Sequence, residues 1–179
     1  WARHLAGQAA ERLSDETGAA EHFRQQMTAH PTHRLADDAA YYVIRHLVED
    51  LKDLNRAEKQ LKVLVSKFPN GDMMPRAVFF VAINAFLKGR YKQTLRVLEL
   101  ESKLNLGDAN YRRMGRTEYW RARTLRALGR RAAARKSYQK AFKAYPLSWY
   151  SILAYSRLRE ENRTRAKKLA RQVLQKRSD

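Results

Sequence analysis

"RRAAARKSYQKAFKAYP", Arg130–Pro146, decides how this chain folds. Ala134 and Tyr138 stand four apart, and Pro146 follows Tyr138 by eight. Ala19, Phe23 and Pro31 keep the same spacing, and so do Ala57, Leu61 and Pro69. A degenerate copy lies between them at Thr94, Leu98 and Leu106, without the proline, and Ala166 after Asn162 opens a truncated fifth. Each of the first four small residues follows a turn residue (Asp15, Asp53, Gly89 or Gly129) by four or five positions. A small side chain lets two helices cross closely, and a bulky one a turn later fills the gap to the next pair. Proline then ends the second helix because its ring clashes with the preceding turn.

The rest of the chain agrees. Strand signals are nearly absent, and apolar residues recur at spacings of three and four. This periodicity predicts helices near 1–13, 17–30, 35–51, 55–68, 73–88, 90–105, 110–128, 131–145, 147–159 and 162–177. A two-helix unit cannot bury its apolar face alone, so such units stack. The cadence resembles the tetratricopeptide repeat, whose usual period is about 34 residues. Here the period is longer and the family's first-helix tryptophan is not kept, which marks divergent copies. The expected fold is all-α: a right-handed superhelical solenoid of antiparallel helix pairs, about ten helices in one helical-repeat domain. The repeats fall roughly at 1–34, 35–72, 73–108, 109–146 and 147–177.

Composition narrows the function classes. The 179 residues include no cysteine, which excludes a disulfide framework and a thiolate zinc site. The longest apolar run, "AVFFVAINAFL" at Ala77–Leu87, is about half of the roughly 20 residues a membrane span needs, so it reads as a buried helix. The chain opens on Trp1 inside a helical pattern, as expected of a fragment cut from a larger protein. The formal charge is +19 and unevenly placed: Arg121–Asp179 holds eighteen Lys and Arg against three acids. Such asymmetry points to a polyanionic partner or to a solvated basic face. Arg121, Arg126, Arg130, Arg131, Arg135 and Lys136 form the candidate anionic-polymer contact surface.

Catalytic and metal chemistry finds little footing. Glu101-Ser102 sits at a helix end beside Glu99 and Lys103, where a surface glutamate with an ordinary pKa is expected. "HPTH", His30–His33, has an H-x-x-H spacing broken by proline, without a supporting third ligand, so loop histidines are expected. Phosphate loops, nucleophile elbows and H-E-x-x-H are absent. No catalytic residue, metal or cofactor is expected in this chain. Basic residues interleave with Tyr119, Trp120, Tyr138, Phe142 and Tyr145, a composition that suits single-stranded nucleic acid. Yet Tyr119, Ala122, Leu125 and Leu128 share one helix face, and Tyr138, Ala141, Phe142 and Tyr145 share the next, which favours a core role. After Pro146, "LSWYSILAYSRL" is expected to pack one repeat on the next through its aromatics.

"YWRARTLRALGR" and "AAARKSYQKAFKAYPLSWYSILAYSRL" resemble the end of the superhelical, non-catalytic region of soluble lytic murein transglycosylases. The resemblance rests on Tyr119, Trp120, Ala122, Arg123, Gly129, Arg130, Ala134, Pro146, Trp149, Tyr150, Leu153, Ala154, Arg157 and Leu158. Trp149 stands where that family often has tyrosine, and no part of the lysozyme-like catalytic domain is covered. The resemblance implies a periplasmic scaffold that positions peptidoglycan for a catalytic domain beyond Asp179 and is inactive alone. The alternatives are a tetratricopeptide-like scaffold holding a protein partner in its concave groove, and a basic helical-repeat module for nucleic acid.

Overall fold

A computed structural model of the protein describes residues 1–68, 71–104 and 113–175. Among the described residues it is all-α, with ten helices. They are α1 (Ala2–Arg12), α2 (Glu16–Ala29), α3 (Ala36–Glu49), α4 (Leu54–Lys67), α5 (Met74–Leu87), α6 (Tyr91–Lys103), α7 (Arg116–Ala127), α8 (Arg131–Ala144), α9 (Trp149–Glu161) and α10 (Arg163–Gln175). The expected boundaries hold within two residues except at α7, expected from 110. That helix starts at Arg116, after Gly115 with φ 79°. Pro69 and Leu106 lie outside the described residues.

The cadence has a structural origin in the even-numbered helices. Their N-cap residues are Asp15, Asp53, Arg90 and Arg130, and Asn162 caps α10 through its side chain. Ala19, Ala57, Thr94, Ala134 and Ala166 each stand four residues after that cap, and each N–H donates to the cap's carbonyl at 2.9–3.0 Å. All five are buried. One turn on, Phe23, Leu61, Leu98 and Tyr138 are buried as well. Three of these helices end alike. His30, Phe68 and Tyr145 take φ of −136°, −127° and −140° with ψ between 61° and 67°. Each precedes a proline, whose ring disfavours helical backbone at the residue before it. Copy three, without proline, ends instead on Leu104 at φ −87° and ψ 0°.

The chain divides into two compact units, Trp1–Lys88 and Gly89–Asp179. In the first, α1 packs on α2, α2 on α3, and α3 on both α4 and α5. Its core includes Phe23, Ile44, Leu54, Leu61 and Leu64. Phe23 stacks on Tyr42 at 4.4 Å, and a Cβ added at Gly7 would stand 2.8 Å from the Phe23 ring. Gly7 is what lets α1 approach that close. Among the described residues no helix is long and apolar enough to cross a membrane; the Ala77–Leu87 run lies within α5, where Ala77, Val78, Val81, Ala82 and Ala85 are buried and Leu87 is exposed.

In the second unit, α6 packs on α7, α7 on α8, α8 on α9, and α9 on α10. Tyr119, Ala122, Ala134, Tyr138, Ala141, Ala154, Leu158 and Ala166 form its core. Ser148 caps α9, and the buried Ser151 hydroxyl donates to the Ala141 carbonyl at 2.7 Å, tying α9 to α8. The expected packing role of the stretch after Pro146 holds for Ala154 and Leu158, with Tyr150, Leu153 and Tyr155 half-buried against the core. It fails for Leu147, Trp149 and Ile152, which are 83%, 67% and 52% exposed. Leu147 precedes α9, and Trp149 and Ile152, three residues apart, share a face of α9 turned away from the core that Ala154 and Leu158 enter.

Charge follows the same division. Trp1–Lys88 carries 12 Lys and Arg against 11 acids, and Gly89–Asp179 carries 25 against 7. The first unit is nearly neutral and the second holds almost all of the net +19.

Candidate functional site

The second unit's basic surface is not a uniform sheet of solvated cations. Arg131 and Arg135 stand one turn apart on α8, beside the Ala134–Tyr138 stripe that faces the core, so both lie at the rim of a packed interface. Arg126 reaches the same place from the last turn of α7, and Glu161 from the end of α9. Arg126, Arg131, Ala134, Tyr138 and Glu161 line one cleft of about 250 Å³. A smaller one of about 120 Å³, which Glu161 also lines, is lined by Arg135, Leu158, Arg165 and Leu169 among others. Both open at the end of the unit where α7 turns into α8 and α9 into α10.

Glu161 Oε1 accepts hydrogen bonds from Arg135 Nε, at 2.8 Å, and from Arg135 Nη2. That bond holds the Glu161 carboxyl below its ordinary value, and the Arg126 and Arg131 charges act in the same direction. Tyr138 is 2% exposed, and its hydroxyl has no hydrogen-bond partner. Burial first, with nearby Tyr119 adding, pushes its pKa up to about 12, so it is a neutral donor at ordinary pH.

The six residues of the candidate surface therefore separate. Arg126, Arg131 and Arg135 converge on Glu161. Arg121 instead lies 3.8 Å from Glu118, which also accepts from Lys140 at 2.6 Å. Arg130 is the N-cap of α8, and Lys136 is exposed outside the cleft. The role of Glu161 and of the Tyr138 hydroxyl escaped the sequence reading. Both depend on α9 meeting α8, across 26 residues for the Arg135–Glu161 pair.

Two other clusters matter. Glu101 is fully buried, contrary to the expected surface glutamate, and its Oε1 accepts from Arg116, itself 8% exposed. The local pattern was misleading because the neighbouring Glu99–Lys103 pair is a surface one, 3.1 Å apart. In the first unit the carboxylates of Asp37, Asp38 and Asp72 have oxygens within 4.8 Å of one another. Asp37 Oδ2 accepts from the Met73 N–H at 3.3 Å, while burial, then Asp37 and Asp72, push the Asp38 carboxyl above its ordinary value. Of the histidines, His33 Nδ1 accepts from the Leu35 N–H at 3.2 Å, a local turn bond. His4 is buried in α1 within reach of Gln26, at 3.2 Å, and Gln8.

With that geometry in hand, the likenesses to known proteins become readable. Residues 101–148 match the tetratricopeptide repeat model. No curated protein matches the sequence. Solved structures with the same fold include the MamA fragment 41-end from Desulfovibrio magneticus RS-1, at 18% identity over 99% of this chain and 94% of that one, with a TM-score of 0.58. The MamA RS-1 ArsTM double mutant gives 17%, 98%, 93% and 0.59, and a further crystal structure of MamA gives 18%, 96%, 94% and 0.56. At such identities the likeness is one of fold. The transglycosylase resemblance, and with it peptidoglycan, finds no support in these matches. The residues that carried it explain why: Tyr119, Ala122, Ala134, Ala154 and Leu158 are core residues that a stacked helix pair needs for packing. The chain has a tetratricopeptide-like helical fold, with its sequence match to that repeat in 101–148.

Proposed function

We propose that this protein is a scaffold that binds an acidic protein partner through its second unit. The observation that carries the reading is the concentration of positive charge in one unit, beside exposed apolar side chains. Gly89–Asp179 holds 25 basic residues against 7 acids and exposes Leu147, Trp149 and Ile152. Exposed aromatic and aliphatic side chains beside arginines are the composition of protein-binding surfaces. Helical-repeat folds present such surfaces over successive pairs.

Sedimentation and fluorescence anisotropy with three probes test this: a labelled glutamate-rich peptide, a single-stranded oligonucleotide and peptidoglycan sacculi. Saturable peptide binding that exceeds oligonucleotide binding at about 0.15 M salt is expected, because counterion release makes nucleic-acid affinity collapse with salt. Tighter oligonucleotide binding with a steep salt slope makes the chain a nucleic-acid module. Pelleting with sacculi in the absence of peptide binding returns it to the cell wall and the periplasm.

A further inference from the structure

The cleft at the α7–α8 turn names what such a partner presents, an inference that rests on the reading just given. Arg126 and Arg131 line it with no ion pair among the described residues. The carboxylate facing them, Glu161, is engaged by Arg135. Tyr138 lines the same space with a buried hydroxyl that has no partner, a group whose burial is costly until something accepts from it. The N-cap of α8 is Arg130, which makes no side-chain cap hydrogen bond, in contrast to Asp15, Asp53 and Ser148 on α2, α4 and α9. The first turn of α8 adds the positive end of the helix dipole at Arg131, whose own N–H donates to the Gly129 carbonyl at 2.9 Å.

We propose that this cleft receives a carboxylate from an acidic segment of the partner, with Arg126 and Arg131 holding its oxygens and the Tyr138 hydroxyl donating to it. Guanidinium groups bind planar carboxylates through paired N–H donors. Glu161, still negative beside Arg135, repels a dianionic phosphate more than a singly charged carboxylate, so the cleft favours the latter. Its position at the turn end of the helix pairs makes it an anchor for one acidic side chain or chain end.

The test is fluorescence anisotropy of a labelled glutamate-rich peptide with the full chain. Arg126→Ala and Arg131→Ala are each expected to weaken binding about tenfold, the usual scale for a charge-assisted bond. Lys136→Ala and Lys143→Ala remove the same charge from exposed positions outside the cleft and are expected to weaken it less than about twofold. Tyr138→Phe is expected to weaken binding severalfold while leaving Tm unchanged or raised, since it deletes a hydroxyl that the free protein leaves unpartnered. Equal losses in all four alanine variants overturn the proposal, as does displacement of the peptide by millimolar inorganic phosphate. If the wild type binds peptide and the cleft variants bind equally well, this inference falls while the scaffold reading stands. If the wild type binds no glutamate-rich peptide, both fall.

Discussion

The residue before each N-cap decides how a hairpin turns. Ser14, Lys52, Gly89 and Gly129 have φ of 60°, 54°, 71° and 75°, and each immediately precedes the N-cap of an even-numbered helix. The chain reaches this left-handed backbone in two ways. Where the residue is glycine, strain is absent and the cap is an arginine with no side-chain bond. Where it carries a side chain, the cap is aspartate: Asp15 accepts from the Gly18 N–H at 2.9 Å, and Asp53 from the Asn55 and Arg56 N–H groups at 3.1 and 2.9 Å. A cap of this kind contributes about 1 kcal/mol, comparable with the cost of one non-glycine residue in that region. Opposite signs therefore follow for two substitutions measured by chemical denaturation. Gly129→Ala is expected to destabilise by about 1 kcal/mol purely through backbone strain, because nothing lies within 4 Å of the added Cβ. Ser14→Gly is expected to stabilise by about 0.5 kcal/mol, the relief of strain less the entropy glycine adds to the unfolded chain. Destabilisation by both would remove the account of these turns.

Between elements, the start of α3 and the turn before α5 bring three acids together, and the consequence is a pH dependence of known sign. Asp38 has its carboxyl pushed up in the folded state by burial, then by Asp37 and Asp72. The folded protein thus binds a proton there more tightly than the unfolded chain does. That contribution is favourable at acid pH and is lost as pH rises from the unfolded aspartate range through the raised folded value. Asp38→Asn is expected to raise Tm at pH 7 and to change it little near pH 3, with the difference growing across the carboxylate range. A variant that gains nothing at pH 7 would contradict the repulsion inferred here. Neither this cluster nor the Glu101–Arg116 pair was legible in the sequence. The helices were, because the cap-plus-four register of Ala19, Ala57, Thr94, Ala134 and Ala166 is a rule internal to each helix. A pair such as Asp38–Asp72, or Arg135–Glu161, forms only after helices dock, and nothing in spacing along one helix announces it. The exposure of Trp149 was hidden for the same reason: its face of α9 is as helical in spacing as the buried one, and the docking of α7, α8 and α10 chooses between them.

At the scale of the whole molecule, the excess of positive charge lies within the second compact unit, most of it in Arg121–Asp179. The basic bias and its concentration beyond Arg121 were visible in the sequence, but the convergence of Arg126 and Arg131 on one cleft required the fold. A unit with 25 basic and 7 acidic residues repels itself, whereas one with 12 and 11 does not. Self-repulsion destabilises a compact state, and salt screens it. Raising sodium chloride from about 0.01 M to about 0.1 M shortens the screening length from about 30 Å to about 10 Å, below the span of a helix such as α8 at 1.5 Å per residue plus its side chains. Hydrogen exchange at the two concentrations is therefore expected to show amides of α7–α9 severalfold better protected at the higher one. Those of α2–α4 should change little. The acidic peptide added at low salt should reproduce the α7–α9 protection, because a bound polyanion neutralises the same field from outside. Equal responses in the two units would mean that local ion pairs such as Arg135–Glu161 and Lys140–Glu118 already compensate the excess, leaving no electrostatic demand for a partner at the second unit.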